Sequence, residues 1–555
     1  MAVPPSKRPP YLARLRHLWS LDTLLGLLVA TSLPLAVVSI PNTLSVVARL
    51  LPGELNQAGL MRTHGLALPA LMLTVPLAAA LLRRVPVAVL LLVGLALVAV
   101  SEAAGGYAGS ELLVGAVRVV RGVGAGVILS ATLAGVWDRA PVLRALWVGV
   151  FGLSLLTAQA LALWPLDEVM SWRVTLQPYP LVTGVALGLA AIHLIGWMSL
   201  GRQAESVPEG RERGRLLLAL GPAAGIAVVA ISTASEGWRA GPVILLAVVA
   251  VVGLLALASI GSGESRTLAY TMVAVGVVLL PSAAQVTLVE MGGLGGPGLL
   301  GLWVPYGVAG LLAVAASVVV RLFAGGLRRW LVPLGLVAMV VGLCSVRLVV
   351  PSADGMVLAV PFSLLAVGAA VAMTAASQQV GIGAAAFGLS LCAAGVLAGF
   401  LLGAGVQMAM LDGVRSAQEL IDSFVGALHW WALIGGFLVV AIILLAAVMA
   451  RRPVKDAPSD EPGQVPCAGP PVPADVLLVR APDDEEPPTQ AISRVVLPVS
   501  AKGAFDEADE ADEADEADEA DEADEADGDD EGREEDGSSP AVPPQGHSPE
   551  DTVSS

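Results

Sequence analysis

The sequence predicts an all-α integral membrane bundle of about fourteen transmembrane helices followed by a disordered acidic tail, and three observations predict it. Of 555 residues, 55% are hydrophobic and only 14% charged, with a mean hydropathy of +0.76, far outside the range of soluble domains. A helix crosses a bilayer with ~20 mostly apolar residues, and such runs are centred near residues 31, 73, 95, 123, 152, 186, 225, 249, 279, 309, 337, 366, 395 and 440. After Arg452 the apolar pattern stops, and proline, aspartate and glutamate take over.

The elements follow in order. Residues 1–20 form a basic N-terminal segment with Lys7, Arg8, Arg14 and Arg16 ahead of the first apolar run. No small-residue cleavage site follows a short hydrophobic core, so the first helix reads as retained. Six apolar runs occupy residues 21–200. The stretch GRQAESVPEGRERGR, residues 201–215, is the longest polar connection before the tail and reads as a linker between halves. An even number of crossings puts both termini on one side. Arg83 and Arg84, Arg139 and Arg144, Arg202 to Arg215, Arg266, Arg328 and Arg329, and Arg451 and Arg452 fall in the loops on that side. The positive-inside bias makes it cytoplasmic, so the chain is expected in the cell membrane with both termini in the cytoplasm. The opposite loops are assigned Glu54, Glu102, Asp167, Glu168, Glu236, Asp354, Asp412, Glu419 and Asp422.

Charge divides the same way. Residues 451–555 hold 31 of the 48 acidic residues and 7 of the 31 basic ones, so the tail carries −24 and the rest of the chain +7. The overall −17 therefore describes two regions in different solvents and implies no nucleic-acid partner. Residues 506–526 are seven consecutive Asp-Glu-Ala triplets. With like charges at that density and no apolar face, disorder is expected. A solvating tail and a docking segment for a basic protein partner both fit this composition.

Enzyme signatures are lacking. There is no phosphate-cradling glycine loop with lysine, no metal-binding histidine pair and no nucleophile elbow, so no cofactor, no metal and no catalytic residue is expected. Cys344 and Cys392 sit in apolar runs and Cys467 in the tail, without disulfide or zinc spacing. Of five histidines, at 17, 64, 193, 429 and 547, only His193 reads as well inside a helix.

The chemistry centres on AVRVVRGVGAGVILSATLAGV, residues 116–136. Arg118 and Arg121 are three residues apart, about 60° around a helix, on one face. Gly122, Gly124 and Gly126 follow with no side-chain bulk and read as a helix-packing motif. Arg118 lies ~13 Å along the axis from Gly109, too deep for easy snorkelling. A charge at a helix centre costs on the order of 3 kcal/mol, so it must face the bundle interior, a watery cavity or a carboxylate. Hydrogen bonding to carbonyls of neighbouring helices is the structural alternative. Glu111, two turns outward, shares the face without reaching Arg118.

The segment RVVRGVGAG, residues 118–126, resembles the fourth-helix motif of the major facilitator superfamily, Arg-x-x-Gln-Gly-x-Gly-Ala-Ala, with Arg121 standing where glutamine is usual. Fourteen helices resemble its drug:proton antiporter branch, as do SIPNTLSVVARLL at 39–51, SWRVTLQPYP at 171–180 and, loosely, GIGAAAFGLSLCAAGVLAGFLLG at 381–403. The resemblance implies a secondary transporter in which residues 216–260 are an inserted helix pair and 261–450 a second six-helix bundle, with Arg118 the central charge and efflux the direction. The sequence also departs from the branch. Ser32 stands where its first helix carries aspartate; in PLAAALLRRVPVAVLL, 76–91, only the arginines of its loop motif remain; and the antiporter signature is missing from VGVFGLSLLTAQALALW, 148–164.

Coupling to protons needs a buried group whose proton competes with substrate. With the usual carboxylate positions empty, the remaining substrate or coupling candidates are Arg118, Arg121, Glu111, Glu290 and Asp22. A cavity with arginines and few acids attracts anions, which points to an anionic or amphiphilic substrate, a lipid or cell-envelope intermediate included. The alternatives are a transport-inactive scaffold of the same fold that recruits partners through the tail, and a sensor whose cavity binds ligand.

Overall fold

The structure, a computed structural model, describes residues 10–51, 56–166, 171–199, 210–234, 237–260, 263–291, 296–323 and 325–451, all within the unit Met1–Ser459. The Asp-Glu-Ala tail, Cys467, most of the linker, and Glu54, Asp167, Glu168 and Glu236 lie outside the described residues. The first half comprises α1 (Pro10–Val38), a broken second span made of α2 (Gln57–His64) and α3 (Ala67–Leu81), α4 (Val87–Gly105), α5 (Glu111–Trp137), α6 (Pro141–Leu163) and α7 (Pro180–Ser199). Two further helices follow, α8 (Gly210–Thr233) and α9 (Ala240–Ser259). The second half is α10 (Gly263–Glu290), α11 (Gly298–Phe323), α12 (Arg328–Val349), α13 (Ala359–Ala376), α14 (Ile382–Leu411) and α15 (Ala417–Arg451).

Fourteen spans among the described residues are long and apolar enough to cross a membrane. In lipid every backbone polar group must be satisfied within the chain, and a helix does this in each segment. Two helices start inside segments that read as polar connections, α1 at Pro10 and α8 at Gly210. Polar residues there do not end a helix; they let its first turns project from the apolar layer.

The two halves repeat one packing scheme. In the first, α5 packs on α3 and α4, α1 on α6, and α7 on α1 and α4; in the second, α13 packs on α11 and α12, α10 on α14, and α15 on α10 and α12. The halves meet where α6 lies along α11 and where α3 approaches α14. Helix α8 covers the second seam, packed on both α3 and α14, and α9 packs on α14 and α10. Small residues make the central crossings close: a methyl group built on Gly149 of α6 would come within 2.7 Å of Val314 Cα in α11. Trp164, just past α6, and Trp303 of α11 meet edge to face at 4.3 Å, joining the halves at the end away from the N-terminus. That end is called the far side below. Exposed leucines, valines and phenylalanines such as Leu245, Leu300, Leu311 and Phe437 cover the outer helices, the surface that lipid chains solvate.

Candidate functional site

Helix α5 starts where Ser110 caps it, its side chain accepting from Leu113 N at 3.3 Å, with Glu111 in the first turn, where a carboxylate suits the positive end of the helix dipole. Its glycines bring neighbours into backbone contact. A methyl group on Gly122 would run into the Ala67 carbonyl of α3, one on Gly126 would lie 2.8 Å from Leu71 O, also in α3, and one on Gly124 would lie 2.8 Å from Gly94 O in α4. Gly122 and Gly126 thus face α3 while Gly124 faces α4. Arg118, one turn outward of Gly122, is thereby held among the ends of α1 and α2, and Arg121, next to Gly122, against α4.

Arg118 is 2% exposed. Its Nε donates to His64 O at 2.6 Å, and its Nη2 donates to Ser39 O at 2.8 Å and Pro41 O at 3.1 Å. These carbonyls belong to the end of α1 and to the break between α2 and α3. Helix ends leave their last carbonyls without intrahelical partners and carry partial negative charge. Two such ends converge on one guanidinium, so the charge is met by backbone and not by a carboxylate. Ser32, at the position where the antiporter branch carries aspartate, donates to Leu28 O of its own helix at 2.5 Å.

Arg121 is fully buried and finds the carboxylate. Its Nη2 lies 3.1 Å from Glu102 Oε1 in α4, and its Nη1 donates to Leu176 O at 2.9 Å. Glu102 is corrected from a far-side loop to the interior of a helix, 2% exposed. The apolar run Val87–Gly105 continues past it, and pairing with Arg121 offsets the cost of placing a carboxylate there. Breaking such a buried pair costs ~3–5 kcal/mol because one charge is left uncompensated.

The other candidates are dispersed. Glu111 lies half-buried with its carboxylate against Gly59 of α2, seven residues and ~10 Å along the axis from Arg118. Glu290, at the far end of α10, accepts from Ser352 N at 3.0 Å through Oε1, while its Oε2 is buried and meets no donor among the described residues. Asp22 lies 3.3 Å from Arg139 near the opposite edge, both side chains partly exposed. His17 and His429 join His193 inside helices, and His64 ends α2. Among the described residues no three His, Cys, Asp or Glu side chains are grouped to hold a metal ion.

A cavity of about 390 Å³ opens on the seam between the halves. Its walls come from the far-side ends of five spans and the end of α1: Asn42, Arg62, Gln159 of α6, Ala230 of α8, Gln285 of α10 and Gln407 of α14 carry its polar and narrowing features among leucines, prolines and Phe400. No acidic side chain is among its described lining residues, and Arg62 is the one cation. Gln285 is 7% exposed and its Oε1 has no donor among the described residues. Asn42 is already used: its Nδ2 donates to Met61 O at 2.9 Å and its Oδ1 accepts from Leu44 N at 3.3 Å, tying α1 to α2. None of Arg118, Arg121, Glu111, Glu290 and Asp22 lines this cavity. Arg118 sits behind its wall, bonded to the lining residue Pro41 and to His64, which adjoins the lining residue Gly65.

Sequence reasoning passed over the cavity amides. The signal was present, since Gln159, Gln285 and Gln407 each interrupt an apolar run in its outer half, where an uncharged amide is still costly without a partner.

No family model matches the chain, and no curated protein matches it in sequence. Among solved structures the chain is similar to the major facilitator superfamily proton:xylose symporter XylE bound to 6-bromo-6-deoxy-D-glucose, at 13% identity and a TM-score of 0.49, over 79% of this chain and 96% of that one. It is similar to the human organic anion transporter MFSD10 (TETRAN) at 18% identity and a TM-score of 0.43, over 75% and 99%. Tetrameric PepTSo2 matches at 13% identity and a TM-score of 0.48, over 78% and 99%.

Proposed function

We propose that this chain is a secondary transporter of the major facilitator type, whose two halves rock about the seam and expose the cavity to each side of the membrane in turn. The observation that carries the reading is the 390 Å³ cavity itself, walled by both halves and lined by Gln159, Gln285 and Gln407. The repeated packing of the halves and the fourth-helix motif support it. Uncharged amides, one arginine and no acid favour an anionic or amphiphilic substrate over a cationic one. Gln159, Gln285 and Gln407 would bind it by hydrogen bonds, and Arg62 would attract it at the rim. Arg118 acts as a positioning residue that fixes the α1 end and the α2–α3 break forming one wall, and Arg121 ties α5 to α4 and to Leu176 behind it. Export is the direction the sequence resemblance implies, with both termini cytoplasmic.

The test compares cell-envelope and secreted metabolites in a strain lacking the protein, complemented at matched expression by wild type, Gln285→Ala, Ala230→Trp or a chain ending at Arg452. The reading expects one class of compound to build up inside the deletion strain, wild type and the shortened chain to relieve it, and both cavity variants to fail. If the cavity variants relieve it fully while the shortened chain fails, the function belongs to the tail and the transport reading falls.

A further inference from the structure

On the lipid-facing side of the second half, α12 and α15 diverge and leave an apolar groove of about 490 Å³. Val340, Leu343 and Phe437 are among its walls. Its floor is Gly436, where an added methyl group would meet only a Val340 side-chain atom, at 3.9 Å. From Val340 to Leu348 the groove runs along α12 for ~12 Å at 1.5 Å per residue. It is separate from the transport cavity, which no residue of α12 or α15 lines.

One charged side chain, Arg347, lines it. Arg347 is exposed, stands in the last turn of α12 and has no acceptor among the described residues. The level of that turn is fixed by His429 of α15, whose Nε2 lies 2.9 Å from Val350 O just beyond α12. Trp430, next to His429, is 55% exposed on the outer surface. Tryptophan and arginine together at one depth mark the boundary where lipid headgroups lie. An acyl-chain channel thus runs toward the membrane centre from a lone cation at headgroup depth.

We propose that this groove seats one phospholipid of the far-side leaflet with a net anionic headgroup, its acyl chain along α12 and α15 and its phosphate on Arg347. An anionic headgroup complements the single cation, whereas a zwitterionic one brings a second positive group to the same place. The seat does not depend on what passes through the central cavity.

The experiment uses the full-length protein in detergent, with native mass spectrometry reading bound lipid after addition of phosphatidylglycerol or phosphatidylcholine of the same acyl chains. Wild type is expected to hold phosphatidylglycerol about five-fold more tightly, the preference one surface arginine gives. Arg347→Gln should equalise the two lipids, and Gly436→Phe, which fills the groove, should lower occupancy by both. Equal binding of the two lipids by wild type, or a preference that survives Arg347→Gln, overturns the proposal. Arg347 is exposed and makes no hydrogen bond or ion pair among the described residues, so that variant decides the matter even if Gly436→Phe fails to fold.

Discussion

Arg118 is bound by three carbonyls from two helix ends, and each side-chain hydrogen bond from a charged donor contributes ~1.5–3 kcal/mol. Arg118→Ala should therefore lower the thermal unfolding midpoint of the detergent-solubilised protein markedly, by several kcal/mol equivalent. Arg118→Lys should recover little of it, since a single ammonium cannot reproduce the spread of a planar guanidinium over Ser39, Pro41 and His64. A destabilisation below ~1 kcal/mol would mean that the carbonyl staple contributes nothing. For Arg121, a double-mutant cycle with Glu102 is the direct reading: Glu102→Leu or Arg121→Met alone should each cost ~3–5 kcal/mol, and the double variant should cost less than the two together. Additive losses would show that the pair is not coupled. The sequence made the burial of both arginines legible through the cost of a charge in an apolar run. It did not reveal their partners, because backbone carbonyls leave no residue signature and Glu102 sits near the end of its run, where loop and helix have the same composition.

At the scale of elements, helix contacts rest on glycines that only packing distinguishes. Gly122→Ala pushes a methyl group into the Ala67 carbonyl, whereas Gly188→Ala in α7 has nothing within 4 Å. The first should destabilise by ~1–3 kcal/mol through forced separation of α3 and α5, and the second should be neutral or slightly stabilising because alanine favours helix. Equal effects in thermal unfolding would contradict the close approach. Apolar length alone placed the fourteen spans, since the bilayer dictates one length for all. The break of the second span at Gly65 was not legible, because Gln57–His64 and Ala67–Leu81 together read as one crossing, and only Arg118 donating to His64 O shows what the freed carbonyls are used for.

Across the whole molecule, the five packings repeated in each half leave the cavity on the seam where α3 approaches α14, and α8 lies over it between those two helices. Helix α8 supplies Ala230 and its neighbours to the cavity wall on that side. The sequence gives no sign of this placement, since the α8 face packed on α3 and α14 and the face turned to lipid are both apolar, with no amphipathic contrast to orient it. The amides of Gln159 and Gln285 were equally hard to assign, because whether an intramembrane glutamine faces a cavity or a neighbouring helix depends on which helices meet.

Alternating exposure of that cavity is the central claim, and its most direct measurement is the labelling of Gln159→Cys by a membrane-impermeant maleimide, in a chain whose Cys344, Cys392 and Cys467 are serine. Applied to intact cells and separately to inverted membrane vesicles, the reagent is predicted to reach residue 159 from both faces, and Ala230→Trp is predicted to block labelling from the far side. Labelling from one face only, under every condition of gradient and added metabolite extract, would contradict the account and leave a fixed pocket in a static bundle.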